Sequence, residues 1–109
     1  MTLASFEKII QEVVRRLVGG FHPERIILFG SWARNVAGPD SDADLLVVMP
    51  VAGSKREQAV AMDLALAGIP LPTDVIVVTP EEVERYRNCS GTIIREAVRE
   101  GKTLYERSR

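Results

Sequence analysis

The stretch Ile26–Val48, IILFGSWARNVAGPDSDADLLVV, decides how the rest of the chain is read. It opens on a β-branched and aromatic run, breaks at Gly30-Ser31, crosses a polar loop and closes on a second apolar run that begins Asp42-Ala43-Asp44. Apolar runs bounded by Gly, Pro and Asp are strand signals. The stretch therefore predicts a strand over Arg25–Phe29, the first turn of a short helix at Trp32-Ala33-Arg34, a loop through Gly38-Pro39-Asp40, and a strand over Asp42–Met49. Leu45–Met49 is apolar without alternation, which implies burial on both faces and a central place in a sheet.

Upstream, Leu3, Phe6, Ile10, Val13 and Leu17 recur at helical spacing, and Gly19-Gly20 is the expected stop. His22 falls in the following turn and is assigned no role. Downstream, Ser54-Lys55-Arg56-Glu57 has the form of a capping box and predicts a helix to about Ala67, with Val60, Leu64 and Ala67 as its apolar stripe. Asp74–Val78 reads as a third strand. Thr79-Pro80-Glu81-Glu82 is a second capping box, with proline at the first helical position, for a short helix ending near Asn88. A last helix carries Ile93, Ile94, Ala97 and Val98, and Lys102–Glu106 reads as an edge strand. The alternation predicts an α/β (α+β) fold, a small mixed sheet covered by helices mainly on one side, as a single domain over 1–109.

Composition narrows the function. The chain has 46% hydrophobic and 27% charged residues, an ordinary globular balance. No run reaches the roughly 20 apolar residues of a membrane span, and the N-terminus does not read as a signal peptide. The single cysteine, Cys89, allows no internal disulfide or cysteine metal cluster and, like Met49 and Met62, reads as a packing residue. A cytoplasmic location is the default. A net charge of −1 gives no field for holding nucleic acid, and no direct nucleic-acid binding is expected. Between Asn35 and Pro80, six acids stand against only Lys55 and Arg56, which suits a cation site.

The chemistry sits in two places. Residues i and i+2 of a strand share a face, so Asp42 and Asp44 project together, their Cα atoms about 6.5 Å apart. Such a pair resists joint ionisation unless a cation lies between. Asp74 opens the third strand in the same manner. If strands two and three are neighbours in register, three carboxylates gather at one sheet end, a hard-oxygen donor set suited to Mg2+. Gly30-Ser31 offers the complement: a backbone that can approach a ligand, with unpaired N–H groups and a hydroxyl able to cradle phosphate. Taken singly, Gly-Ser is most often a plain turn and Asp-x-Asp a solvated one. Jointly they meet one need, phosphoryl or nucleotidyl transfer from a nucleoside triphosphate.

Gly30-Ser31, ten intervening residues, then Asp42-Ala43-Asp44 reproduces the G-S-x10-D-x-D signature of nucleotidyltransferases similar to DNA polymerase β. Asp74 before Val-Ile-Val-Val matches that family's third-carboxylate strand. The chain most resembles the minimal nucleotidyltransferases over essentially its whole length. One departure is Asn35, where many relatives have glycine. The resemblance implies that Gly30 and Ser31 hold the triphosphate of ATP, that Asp42 and Asp44 bind Mg2+, and that Asp74 completes the carboxylate set and helps activate an acceptor hydroxyl. Arg34 could pair with phosphate or be a plain surface arginine. Trp32 could stack on a base, though packing under the loop is the preferred reading.

Larger relatives add an acceptor-binding domain, for which this chain leaves no room. The minimal family is similar to antitoxins paired with a HEPN-type toxin, and implies transfer of AMP from ATP to a tyrosine of that partner. Two other readings stay open: a non-catalytic module that neutralises a partner by covering it, and transfer to a small molecule, with a homodimer building the missing pocket.

Overall fold

The computed structural model describes residues 2–38 and 40–108; Pro39 of the predicted loop and the terminal Met1 and Arg109 lie outside them. Its elements run α1 (Leu3–Phe21), β1 (Arg25–Phe29), β2 (Ala43–Val48), α2 (Lys55–Ala65), β3 (Thr73–Val78), α3 (Pro80–Tyr86), α4 (Ile93–Glu100) and β4 (Lys102–Glu106). The four strands form one mixed sheet in the order β3-β2-β1-β4. β1 is antiparallel to β2 and to β4, whereas β2 and β3 are parallel and joined through α2. β2, apolar without alternation from Leu45 onward, is central.

Both faces of the sheet are covered, not mainly one. On one face Phe6, Ile10, Val13 and Leu17 of α1 and Met62 of α2 pack on Ile26, Leu28, Leu45, Val47, Val75 and Val77. On the other, Val83 of α3 with Ile94 and Ala97 of α4 packs on Ile27, Phe29, Leu46, Val48 and Val78. The two sets alternate along each strand, the period of two that any pleated strand imposes. The spacing of Ile94, Ala97 and Val98 marks an apolar side of α4 but not the face of the sheet it covers.

Several local expectations change. α1 runs through Gly19-Gly20 and stops two residues later, where His22 takes a left-handed conformation (φ 52°) and donates its N–H to the Val18 carbonyl. The predicted helix at Trp32–Arg34 is a hydrogen-bonded turn, ended by Asn35 at φ 59°. The α2 stripe faces outward: the helix buries Met62 and leaves Val60 and Leu64 exposed. Leu3 is exposed as well, and so is Cys89, which does not pack in the core. The capping box of α3 forms in full between Thr79 and Glu82, behind Pro80. That of α2 shows the Ser54 half, its side chain accepting from the Glu57 N–H.

Candidate functional site

The register brings the sequence-predicted residues to one end of the sheet. Phe29 lies opposite Asp44, so the chain leaving β1 passes beside the Asp44 side chain at Gly30. Asp44 and Asp74 are direct neighbours in the parallel β2–β3 pair and share the face that carries Leu46 and Ile76. Asp42 sits just before β2, exposed. The next residue, Ala43, donates its N–H to the Pro72 carbonyl at 2.9 Å, which fastens this segment to the start of β3.

Gly30 is required here on two grounds. Its φ of +74° lies where a side chain is strained, and a Cβ on it would stand 2.2 Å from Asp44 Oδ2. The close backbone approach expected of this glycine is thus first an approach to Asp44. Beyond it, Arg34 donates its N–H to the Gly30 carbonyl and Val36 to Ser31, at 3.1 and 3.0 Å. Among the described residues no backbone hydrogen bond takes the N–H of Ser31, Trp32 or Ala33. Three successive free donors beside a hydroxyl form an anion-binding concavity.

The loop is held from beneath. Trp32 stacks on Phe6 of α1, with centroids 3.9 Å apart and planes 7° from parallel, and its indole N–H donates to the Ser41 carbonyl at 3.0 Å. The tryptophan is engaged in packing, and no ring face is left between it and Phe6 for a base. The Gly38 N–H donates to Ser41 Oγ at 2.8 Å, closing the loop immediately before Asp42. Asn35 can end the turn because asparagine tolerates the left-handed region that glycine would otherwise supply.

Electrostatically the site is a knot of like charge. Burial raises the Asp44 carboxyl above the ordinary range, and the charges of Asp74, Asp42 and Glu96 push the same way, against Arg34 alone. No ion pair among the described residues involves Asp42, Asp44, Asp74 or Arg34. Nor do three carboxylates stand close enough to make a ready-formed cation cage. The donor chemistry nevertheless fits a hard divalent cation: carboxylate oxygens only, packed against one another and relieved by positive charge.

Two acids near the site escape a reading of the sequence. Glu96, from the first turn of α4, acts on Asp44, and Asp63 of α2 is raised by burial and by the charge of Asp74. An acid in a first turn is fully explained by the helix dipole, and one inside a helix by solvation, so neither carries a linear signal. An apolar hollow of about 570 Å³ between α1 and β4 opens beneath the loop beside Trp32, on the face opposite the carboxylates.

A four-stranded mixed sheet with paired carboxylates and a glycine-led loop at one end defines a nucleotide-transfer fold. The nucleotidyltransferase domain family matches residues 7–107, and the chain belongs to it. Among solved structures it is similar to a candidate nucleotidyltransferase from Sulfolobus solfataricus, at 23% identity and a TM-score of 0.63 over 92% of this chain and 79% of that one. It is also similar to a mutant of the toxin–antitoxin complex MntA-HpeT, at 19% identity and TM-score 0.60, over 90% of this chain and 73% of that one. A toxin–antitoxin structure with AMP-PNP follows at 19% identity and TM-score 0.55, with the same coverage. No curated protein matches the sequence at a significant level. No helix of the described residues is long and apolar enough to cross a membrane.

Proposed function

We propose that this nucleotidyltransferase moves AMP from ATP to a hydroxyl, a tyrosine of a HEPN-type toxin partner, with Mg2+ as cofactor, and so acts as an antitoxin. The observation that carries the reading is the abutment of Gly30 on Asp44, with Asp74 beside Asp44 in register. A glycine turn against paired acids supports a site in which triphosphate and reacting carboxylates meet. The likeness to toxin–antitoxin structures, one of them with AMP-PNP, supports both the partner and the nucleotide.

In this reading the free N–H groups after Gly30 and the Ser31 hydroxyl hold the triphosphate oxygens, and Arg34 offsets their charge. Asp42 and Asp44, with Asp74 as third carboxylate, are the residues that would hold magnesium. A divalent cation held there would neutralise triphosphate charge and make the α-phosphorus more electrophilic. The acceptor oxygen attacks that phosphorus, the bond from it to the oxygen bridging the β-phosphate breaks, and pyrophosphate leaves. Asp74 would take the acceptor's proton, a role that requires hydrogen-bond reach to the hydroxyl.

The test is transfer itself. The chain, its candidate partner, magnesium and ATP labelled at the α-phosphate are incubated together. Label appears on the partner with wild type and is absent with Asp42→Asn or Asp44→Asn. Equal signal from wild type and Asp42→Asn removes the proposal. A partner neutralised without label, by wild type and Asp44→Ala alike, establishes instead a module that acts by covering.

A further inference from the structure

The sheet ends in two unlike edges. β4 is guarded: Lys102 and Glu106 stand exposed at its two ends, and its register with β1 slips between Ile26 and Ile27. Edge charges and a bulge are the ordinary means by which a sheet refuses another strand. β3 has no such guard. Its sequence, Thr-Asp-Val-Ile-Val-Val, carries one charge, Asp74, and it pairs with β2 over six successive residues without a shift. A regular, β-branched edge of this kind accepts a further strand.

The hydrogen bonds tell which groups are on offer. Pro72 and Val78 turn their carbonyls to β2, accepting from Ala43 and Met49 at 2.9 and 3.0 Å. Backbone groups alternate sides along a strand, so Asp74 and Ile76 also turn theirs to β2, and Thr73, Val75 and Val77 present theirs outward. β3 is the last strand on that side, and among the described residues no backbone hydrogen bond reaches these outward groups.

The side chains share the edge differently. Val75 and Val77 are buried on the α2 face, whereas on the carboxylate face Asp74 is exposed and Ile76 half-buried. A strand added here would lie about 4.8 Å from β3. Its side chain opposite Asp74 would come within about 5 Å, Cβ to Cβ, and an aromatic one reaches from the diagonal position. Acceptor, Asp74 and Asp44 would then stand in one row on one face.

We infer that the open edge of β3 is the acceptor's seat. An extended segment of the acceptor protein adds to the sheet, bonding the outward groups of Thr73, Val75 and Val77. Its hydroxyl side chain lies on the Asp74 face, with an apolar residue two positions away against Ile76. This rests on the transfer to a protein hydroxyl proposed above. Positioning is through the backbone, and selection falls on segments that can be extended and carry the hydroxyl-x-apolar pattern.

Residue-resolved amide exchange tests it on the full chain, the probe being the protein that wild type labels from ATP and magnesium. In the dilute chain alone, the amides of Thr73, Val75 and Val77 should exchange at least about tenfold faster than those of Asp74, Ile76 and Val78. A saturating amount of the probe, without ATP, should slow the three outward amides at least about tenfold. Thr73→Pro removes one outward donor and none given to β2, so it should label the probe about tenfold more slowly, with ATP affinity and melting temperature unchanged. Outward amides that stay fast in the complex, or that are already slow in the dilute chain, overturn the seat while leaving transfer intact. Protection that grows with the concentration of this chain alone assigns the edge to a second copy and overturns it too, as does labelling by Thr73→Pro at the wild-type rate. Absence of any label with wild type removes the transfer reading, and this inference with it.

Discussion

At the far end of β2 and β3, Lys55 reaches Glu82 at 2.6 Å while Glu82 closes the capping box with Thr79. At the near end of the same two strands, Asp44 and Asp74 stand abreast with no base bonded to either. The pKa directions follow. Glu82 is lowered, chiefly by its hydrogen bond from Lys55 and then by the Thr79 backbone, whereas Asp44 is raised by burial and then by Asp74, Asp42 and Glu96. One end is neutralised for stability. The other is left in conflict, and a free protein has no use for that conflict unless a cation or substrate resolves it.

The sharpest way to break this contrast is Asp44→Asn. It should cost roughly 10³-fold or more in transfer, since it removes a proposed cation ligand. The same change should raise the melting temperature of the metal-free protein by ~2–4 °C, because it relieves repulsion. A fall in both quantities would show that Asp44 is a structural residue.

Gly30→Ala comes next. Its Cβ would push the Asp44 carboxylate aside, and the positive φ adds strain. The expected loss is ~2–3 kcal/mol in denaturant unfolding, with transfer down about 100-fold. Adding Asp44→Ala to Gly30→Ala should recover part of the stability, the clash but not the φ cost. Strict additivity in this cycle would mean that the two residues do not touch.

At the neutralised end, Glu82→Ala should cost only ~1 kcal/mol, the worth of a cap and a partly exposed ion pair. The ends should also diverge with pH. Glu82 has a lowered folded pKa, so its stabilisation is present above the usual carboxylate range and is lost as pH falls through the lowered value. Asp44 has a raised one, so the stability linked to its protonated form is present below the usual range and is lost as pH rises through the raised value. The gain from Asp44→Asn should hence emerge from acid toward neutral pH and shrink with magnesium. The loss from Glu82→Ala should fade into acid.

The smallest effect is expected at Asn35. Asn35→Gly should change stability by less than ~0.5 kcal/mol and spare activity, since both residues accept φ 59°. Asn35→Val should cost ~1–2 kcal/mol and loosen the loop.

Much of this architecture was legible before any coordinates. The strands at Arg25–Phe29 and Lys102–Glu106 lie where the apolar runs and their breakers put them, and α3 begins at its capping box. Those are local matters, decided within a few residues by propensity, pleat and cap geometry. Where the reading failed, the answer was not local. Val60, Leu64 and Ala67 read as the apolar stripe of α2, but the helix ends at Ala65 and Met62 meets the strands, because the β2–α2–β3 connection sets which side faces them. The apolar stripe of α4 says that the helix packs on something, but not that it covers a second face of the sheet.

The chain by itself determined the chemical inventory: a glycine-serine turn, an Asp-x-Asp strand start and a third aspartate before valines. Only the tertiary structure decided their company. Parallel pairing set Asp44 against Asp74, and antiparallel pairing brought Gly30 onto Asp44. The fold also leaves Val60 and Leu64 of α2 turned to solvent. Local preference can choose a strand or a turn, but register and layer order come from burying two faces of one sheet at once, a property of the whole chain.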